Sequence, residues 1–210
     1  MKKTIASLAT AVALGLASAQ ALALDCNTSF TGGSETTPNG RYTDNENLTI
    51  TDNDTGLMWM KCAAGKTGGD CTVSIDYAVD PLVPDQGIRL LNWMQAMQYA
   101  EQVNTTLVDT EANPSGDTDW RVPNAKELES LVERCRTSPA INTSVFGKDT
   151  PKSWESGKYW TSTPAFRPDV NQTTGDVPYQ AWAIDFQWGN DWRQHKTDKI
   201  FYVRLVRTAD

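Results

Sequence analysis

The residues best equipped for chemistry cluster in WGNDWRQHK, residues 188–196. Asn190 and Asp191 offer the oxygen atoms that a hard cation such as Ca²⁺ prefers. Trp188 and Trp192 offer flat apolar faces with a polar N–H at one edge, suited to stacking against sugars. Arg193 and Lys196 add positive charge. Further acidic loops hold Asp52, Asp54, Asp117 and Asp119. Gly189-Asn190 is also ordinary hairpin-turn chemistry. The stretch therefore needs no metal to explain it, and we expect neither a metal nor a cofactor. Other recognition candidates are Trp154 and three residues of the segment 165–179, namely Arg167, Asp169 and Asn171. That segment has no apolar period and reads as a long surface loop.

Catalytic patterns are sparse. His195 is the sole histidine, it follows Trp-Arg-Gln, and no G-x-S-x-G sequence accompanies it. The four cysteines, at 26, 62, 71 and 135, lack the short C-x-x-C type of spacing that zinc sites use. An even number of cysteines fits an oxidising compartment and two disulfides, for which three connectivities exist. The flexible AAGKTGGD between Cys62 and Cys71 closes easily, so Cys62–Cys71 and Cys26–Cys135 are the expected pairs. No enzyme is expected.

Residues 1–23 read as a secretory signal peptide. Lys2 and Lys3 precede an apolar run from Ile5 to Ala17, and Ala21-Leu22-Ala23 supplies a cleavage site. Asp25 stands before Cys26, where a lipoprotein signal would need a small residue. The expectation is an exported bacterial protein, either periplasmic or secreted to the cell surface. Six Asn-x-Ser/Thr sequons, at Asn27, Asn47, Asn53, Asn104, Asn142 and Asn171, then reflect Asn/Thr-rich composition rather than glycosylation. Removing Lys2 and Lys3 leaves 17 basic residues against 26 acidic, taking the formal charge from −7 to −9. Nucleic acid and anionic membranes reward basic clusters, so neither is an expected partner.

The elements that must position these residues are legible in outline. Residues 24–40 form an irregular lead-in, followed by one domain over 41–207. Leu48–Thr51 and Leu57–Met60 flank the turn residues Asp52–Gly56 as a hairpin. Asn92–Asn104 carries Trp93, Ala96, Met97, Ala100 and Val103 at helical spacing, with Asn92 as N-cap. A second helix starts at DWRVPNAKELESLV, where Asn124 and Glu127 make a capping box and Pro123 holds the chain extended before it. Its apolar face is Leu128, Leu131, Val132 and Cys135. Tyr159–Thr163, then AWAIDFQW returning through Gly189-Asn190-Asp191 to Trp192–Lys196, read as strands. Phe201–Val206 alternates with both faces covered. Of eight tryptophans, Trp59, Trp93, Trp120, Trp160 and Trp182 sit in apolar patterns as core. Helices followed by strands give an α+β class.

TDNDTGLMW (51–59), NWMQAMQYA (92–100), DWRVPNAKELESLV (119–132), YWTSTP (159–164), WAIDFQWG (182–189) and YVRLVR (202–207) occur in the order found in the Lcl C-terminal domain family. The chain resembles that family, which is named from bacterial collagen-like adhesins. The resemblance implies a C-type-lectin-like fold with two helices, a small curved antiparallel sheet and a closing terminal strand. A WR-[LV]-P turn and a final Val-Arg strand are also similar to formylglycine-generating-enzyme-like domains. Those enzymes need a reactive cysteine pair or several histidines, which this chain does not offer. C-type lectins bind calcium through a Trp-Asn-Asp arrangement with a Glu-Pro-Asn partner. Here Gly189 interrupts the former and the latter is missing, so Asn190 and Asp191 are weak calcium ligands.

Within this frame Trp120 is expected in the core. Arg121 is expected as a buried strut paired with Asp185 or Asp119, its five donors bracing several loops. The expected function is a non-catalytic binding or adhesion module. It recognises a glycan or surface polymer with Trp154, Arg167, Asp169, Asn171, Trp188, Asn190, Asp191, Trp192 and Arg193. The rival expectation is a structural component of an envelope assembly, with envelope or surface proteins as partners.

Overall fold

The computed structural model describes residues 34–75, 90–147, 157–165, 180–197 and 201–210. The expected signal peptide, Cys26, Trp154, Arg167, Asp169 and Asn171 lie outside the described residues. The order of elements is β1 (Tyr42–Asp44), β2 (Thr49–Asp52), β3 (Leu57–Met60), β4 (Lys66–Thr67), β5 (Val73–Ser74), α1 (Trp93–Thr105), α2 (Ala125–Glu129), α3 (Thr143–Phe146), β6 (Lys158–Ala165), β7 (Gln180–Asp185), β8 (Asn190–His195) and β9 (Val206–Thr208). This is an α+β arrangement. The described strands form three small antiparallel sheets rather than the one curved sheet expected, in orders β1-β2-β3-β9, β4-β5 and β6-β7-β8. Cys62 and Cys71 are disulfide-bonded across nine residues. Cys135 is disulfide-bonded as well.

Both helix N-caps form as the sequence implies. Asn92 accepts from Gln95 N–H while the Gln95 side chain accepts from Asn92 N–H. Asn124 and Glu127 make the same reciprocal pair. The second helix is shorter than expected. After Glu129 the chain tightens through i→i−3 bonds, Leu131 N–H to Leu128 and Val132 N–H to Glu129. Val132 then bridges Ile141. The Ser130 hydroxyl donates back to the Glu127 carbonyl, an alternative to continued helix. Leu128, Leu131 and Val132 remain buried nonetheless, so the apolar spacing survives the change of backbone.

Two apolar clusters share one wall. The first gathers α1 (Ala96, Tyr99, Ala100, Val103) with Trp120, Trp160, Ala181, Ala183, Phe201, Val203 and Leu205. The second gathers Trp59, Leu128, Leu131, Phe146, Tyr159, Ile184, Phe186, Tyr202 and Val206. Strands alternate their side chains, so β6 sends Tyr159 one way and Trp160 the other. Residues 201–206 do likewise. That terminal segment is the shared wall, and its backbone is divided among several partners. Phe201 pairs with Leu91, Tyr202 with Tyr159, and Val206 with Arg121, while the carbonyls of Val203 and Leu205 accept from Ala64 and Met60. A continuous final strand is consequently replaced by bridges, and only β9 is regular.

The arginine strut exists, but not at Arg121. Trp120 is buried and donates its indole N–H to Asn113. The next residue of an extended chain points to the other side, so Arg121 is on the surface and makes a two-pronged pair with Glu127 at 2.7 and 2.8 Å. Its hydrogen bonds go to Glu127 and not to Asp185, while Asp119 adds only a favourable charge at a distance. Asp119 pairs with Arg207 at 2.5 Å, and Asp185 lies 3.6 Å from Lys158. The bracing is done by Arg204 and Arg207. Arg204 is fully buried, donates to the carbonyls of Met60 and Lys61, and sits over the rings of Phe146 and Tyr159 at 5.0 and 5.7 Å. Arg207 joins Asp117, Asp119 and Asp210.

Candidate functional site

The β7–β8 hairpin carries the described recognition candidates. Its turn spans residues 186–189 and so begins three residues before the Gly189-Asn190-Asp191 turn expected. Gly189 closes it, donating to the Asp185 carbonyl at 2.7 Å with φ 76°. A Cβ there would lie 2.9 Å from Val132 Cγ1, so glycine is required by both conformation and space. The turn is pinned to the body on two sides. Ser138 N–H and Ala140 N–H donate to the carbonyls of Gln187 and Phe186, and Phe186 N–H donates to Gly157. Phe186 is buried beneath it, and the Asp185 carboxylate accepts from Gln187 N–H.

On this rigid base the outer residues are exposed. Trp188 is 52% exposed at the tip and Trp192 is 43% exposed on β8. Trp182 faces Arg193 across the ladder, with the guanidinium 5.6 Å from the indole centroid. The Lys158 ammonium lies 5.4 Å from the Trp192 ring, reaching over the small Ala183 that pairs with Trp192. The Lys196 ammonium lies 3.9 Å from the Trp93 ring. Together Gln180, Trp182, Asp191, Trp192 and Arg193 line a shallow concavity of about 410 Å³ at the sheet's outer edge.

Of the expected site residues, Asp191, Trp192 and Arg193 meet in this concavity. Trp188 and Asn190 lie nearer the tip and do not line it. Gln180 and Trp182 join it without having been singled out for this role. The alternation of Trp182 with Ile184 and Phe186 predicts a core position for it. It shares their face, but neither apolar cluster includes it at that end of the strand. The signal that marks it is register, since Trp182 stands opposite Arg193 on an outer strand. Trp93 is likewise only partly buried, while Trp59, Trp120 and Trp160 are core.

The oxygen-rich loops are engaged by arginines. Asp52 is buried and paired with Arg41 at 2.5 Å. Burial pushes its pKa up, but the Arg41 guanidinium and the Thr55 and Asp54 hydrogen bonds outweigh that and hold it below the usual range. Asn190 and Asp191 are consecutive in a strand, so their side chains point to opposite faces. That arrangement disfavours a shared cation. Among the described residues, no group of three or more His, Cys, Asp or Glu is placed to hold a metal.

The described residues thus form an α+β domain with buried arginines and an anchored, tryptophan-bearing hairpin. The family model for the Lcl C-terminal domain matches residues 48–207, and the chain belongs to that family. Membership points to a surface or adhesin-related module. No curated protein matches the chain.

Proposed function

We propose that this protein is an exported, non-catalytic binding module of C-type-lectin-like fold. It takes a glycan or surface polymer against the outer edge of the β7–β8 hairpin. The carrying observation is the concavity of Trp182, Trp192, Gln180, Asp191 and Arg193, built on a turn fixed by Gly189 and Phe186. The exposed Trp192 and half-buried Trp182 indoles, held on paired strands, lose little conformational entropy on stacking. Adjacent amide, carboxylate and guanidinium groups can read hydroxyls by hydrogen bonds. Arg193, Lys196 and Lys158 make this end locally basic within an acidic chain. The overall charge disfavours densely anionic polymers, so neutral or sparsely charged glycans fit best.

The deciding experiment is a glycan array on disulfide-intact protein, with and without Ca²⁺. Carbohydrate binding that disappears in Trp182→Ala and Trp192→Ala, with melting temperature retained, is the expected result. A silent array together with co-purifying envelope proteins would instead support a structural role in an envelope assembly. Turnover that depends on His195 would overturn the non-catalytic reading.

A further inference from the structure

The outer edge of β8 carries a second property, independent of any ligand. β8 ends its sheet, and no other strand among the described residues pairs with its far side. Five of its six residues are exposed. An open edge offers a row of backbone donors and acceptors to another strand, and proteins commonly blunt such edges with proline, lysine, bulges or cover. Asn190–His195 contains neither proline nor lysine, and its pairing with β7 runs through six successive residues without a bulge. The Trp192 ring leans back toward Lys158 over Ala183, which leaves the edge backbone accessible. Pairing space ends just past His195, where the Lys196 carbonyl accepts from Trp93 N–H.

The order of side chains on this edge is self-complementary. About Trp192 the sequence reads Asn190, Asp191, Trp192, Arg193, Gln194. An antiparallel pair of these strands, related by a twofold axis at Trp192, sets Asp191 against Arg193 of the second copy. The symmetry repeats that pair on the other side of the axis. Asn190 then faces Gln194, amide against amide, also twice. Opposite charges directly across an antiparallel pair stabilise it, and like charges oppose it. Moving the axis one residue either way places Asp191 against its own copy, or Arg193 against its own copy. The charges therefore select one register, which is how open strands avoid slippage. Isologous pairing about a twofold is also the commonest way for a chain to self-associate.

We infer that β8 is a homodimerisation edge, whose partner is β8 of a second copy of this chain. The two three-stranded sheets join into one of six strands, β6-β7-β8 continuing into β8-β7-β6 of the partner. Both copies present the same face to the same side, because the axis runs perpendicular to the sheet. Asp191 and Arg193, which border each concavity, then lie side by side at the centre. Because Asp191, Trp192 and Arg193 also line the concavity, pairing of two copies covers that edge and competes with a ligand held there. A single strand-to-strand contact is small, so the association is weak and dependent on protein concentration. Its paired charges are exposed, so it also weakens as salt rises.

Sedimentation velocity on the disulfide-intact exported chain, across a concentration series at low salt, tests this. The wild type is expected as a monomer–dimer equilibrium. Asp191→Arg and Arg193→Asp each place like charges opposite one another twice, and each should weaken the dimer by at least about tenfold. The double variant exchanges the two charges and regenerates opposite pairs, so it should recover dimerisation. Both substituted positions are exposed, and circular dichroism with thermal melting verifies that each of the three variants is folded. A wild type that stays monomeric to the highest concentration overturns the inference. So does a dimer indifferent to either single reversal, or a double variant that remains as monomeric as the singles.

Discussion

FYVRLVR (201–207) and NDWRQH (190–195) are built from similar residues, arginines among aromatic or apolar neighbours, and they meet opposite fates. Every residue of the first is buried, whereas the second is almost wholly exposed. The difference is one of walls. Residues 201–206 have an apolar cluster on each face, so an arginine there must satisfy itself within the fold, and Arg204 does so on the Met60 and Lys61 carbonyls. Among the described residues β8 has a strand neighbour along one edge only, and its arginine is left for a neighbouring ring or a partner. The same chemistry braces in one setting and recognises in the other. The sharpest way to break this comparison is Arg204→Ala, which strands two buried carbonyls and removes a cation from two ring faces. We expect a loss of about 3 kcal/mol or more in denaturant unfolding. A loss similar to that of an exposed arginine would erase the distinction.

A second buried charge extends the bracing side of the comparison. Glu133 is fully buried and accepts from Thr36 and Thr37 through both their N–H groups and hydroxyls, and from Cys135 N–H. It thereby ties the lead-in to the domain. Burial pushes its pKa up, but the amides of Thr36, Thr37 and Cys135, with the Thr37 hydroxyl, prevail and bring it down to about 2. A folded pKa below the ordinary 4.5 means that folding favours the charged form. Its stabilisation is complete above about pH 4.5 and disappears as pH falls toward 2. Glu133→Gln should cost about 2 kcal/mol at neutral pH and flatten this part of the acid-unfolding curve. A wild type and variant that lose stability in parallel between those values would refute the role.

How much of this was legible depended on whether the signal was local. The capping box at Asn124 and Glu127, the β2–β3 turn, the β7–β8 hairpin and the helical face of α1 are all contained within short windows, and all are present. The burial of both faces of 201–206 also followed from alternation alone. What failed required knowledge of distant neighbours. α2 is shorter than its apolar spacing predicts because Val132 is drawn to Ile141 and Glu133 to Thr36, contacts that no periodicity announces. The five donors of Arg121 suit a buried strut, but extended alternation places Trp120 and Arg121 on opposite sides of the chain. The spacing of Trp182 matches that of Ile184 and predicts a core position, but burial depends on what lies above each position. At the candidate site, the residue types of 188–193 were readable, whereas the concavity depends on Gln180 and Trp182 through register.

Smaller effects belong to the surface near Trp120. Asn124→Ala removes one half of the α2 cap and should cost about 1 kcal/mol. Arg121→Met breaks an exposed pair with Glu127, and although hydrogen bonding to Arg121 holds the Glu127 carboxyl below its ordinary range, exposure limits the cost to about 0.5–1 kcal/mol. Thermal melting of the two variants beside Arg204→Ala measures the contrast directly. If Arg121→Met were the most damaging of the three, the strut would be at Arg121 after all.

The smallest stability effect is expected where the functional effect is greatest. Arg193→Ala leaves an exposed strand position, removing a cation 5.6 Å from the Trp182 ring but no buried partner. Its unfolding free energy should change by no more than about 0.5 kcal/mol. Glycan binding should nonetheless fall sharply, because the same guanidinium borders the concavity and fixes which face of Trp182 is open to a sugar. Opposite rankings of Arg204→Ala and Arg193→Ala by melting and by binding are therefore the signature of a bracing arginine and a displayed one. If Arg193→Ala instead lowered stability as far as Arg204→Ala while binding persisted, β8 would be a structural strand, and recognition would have to be sought elsewhere on the domain.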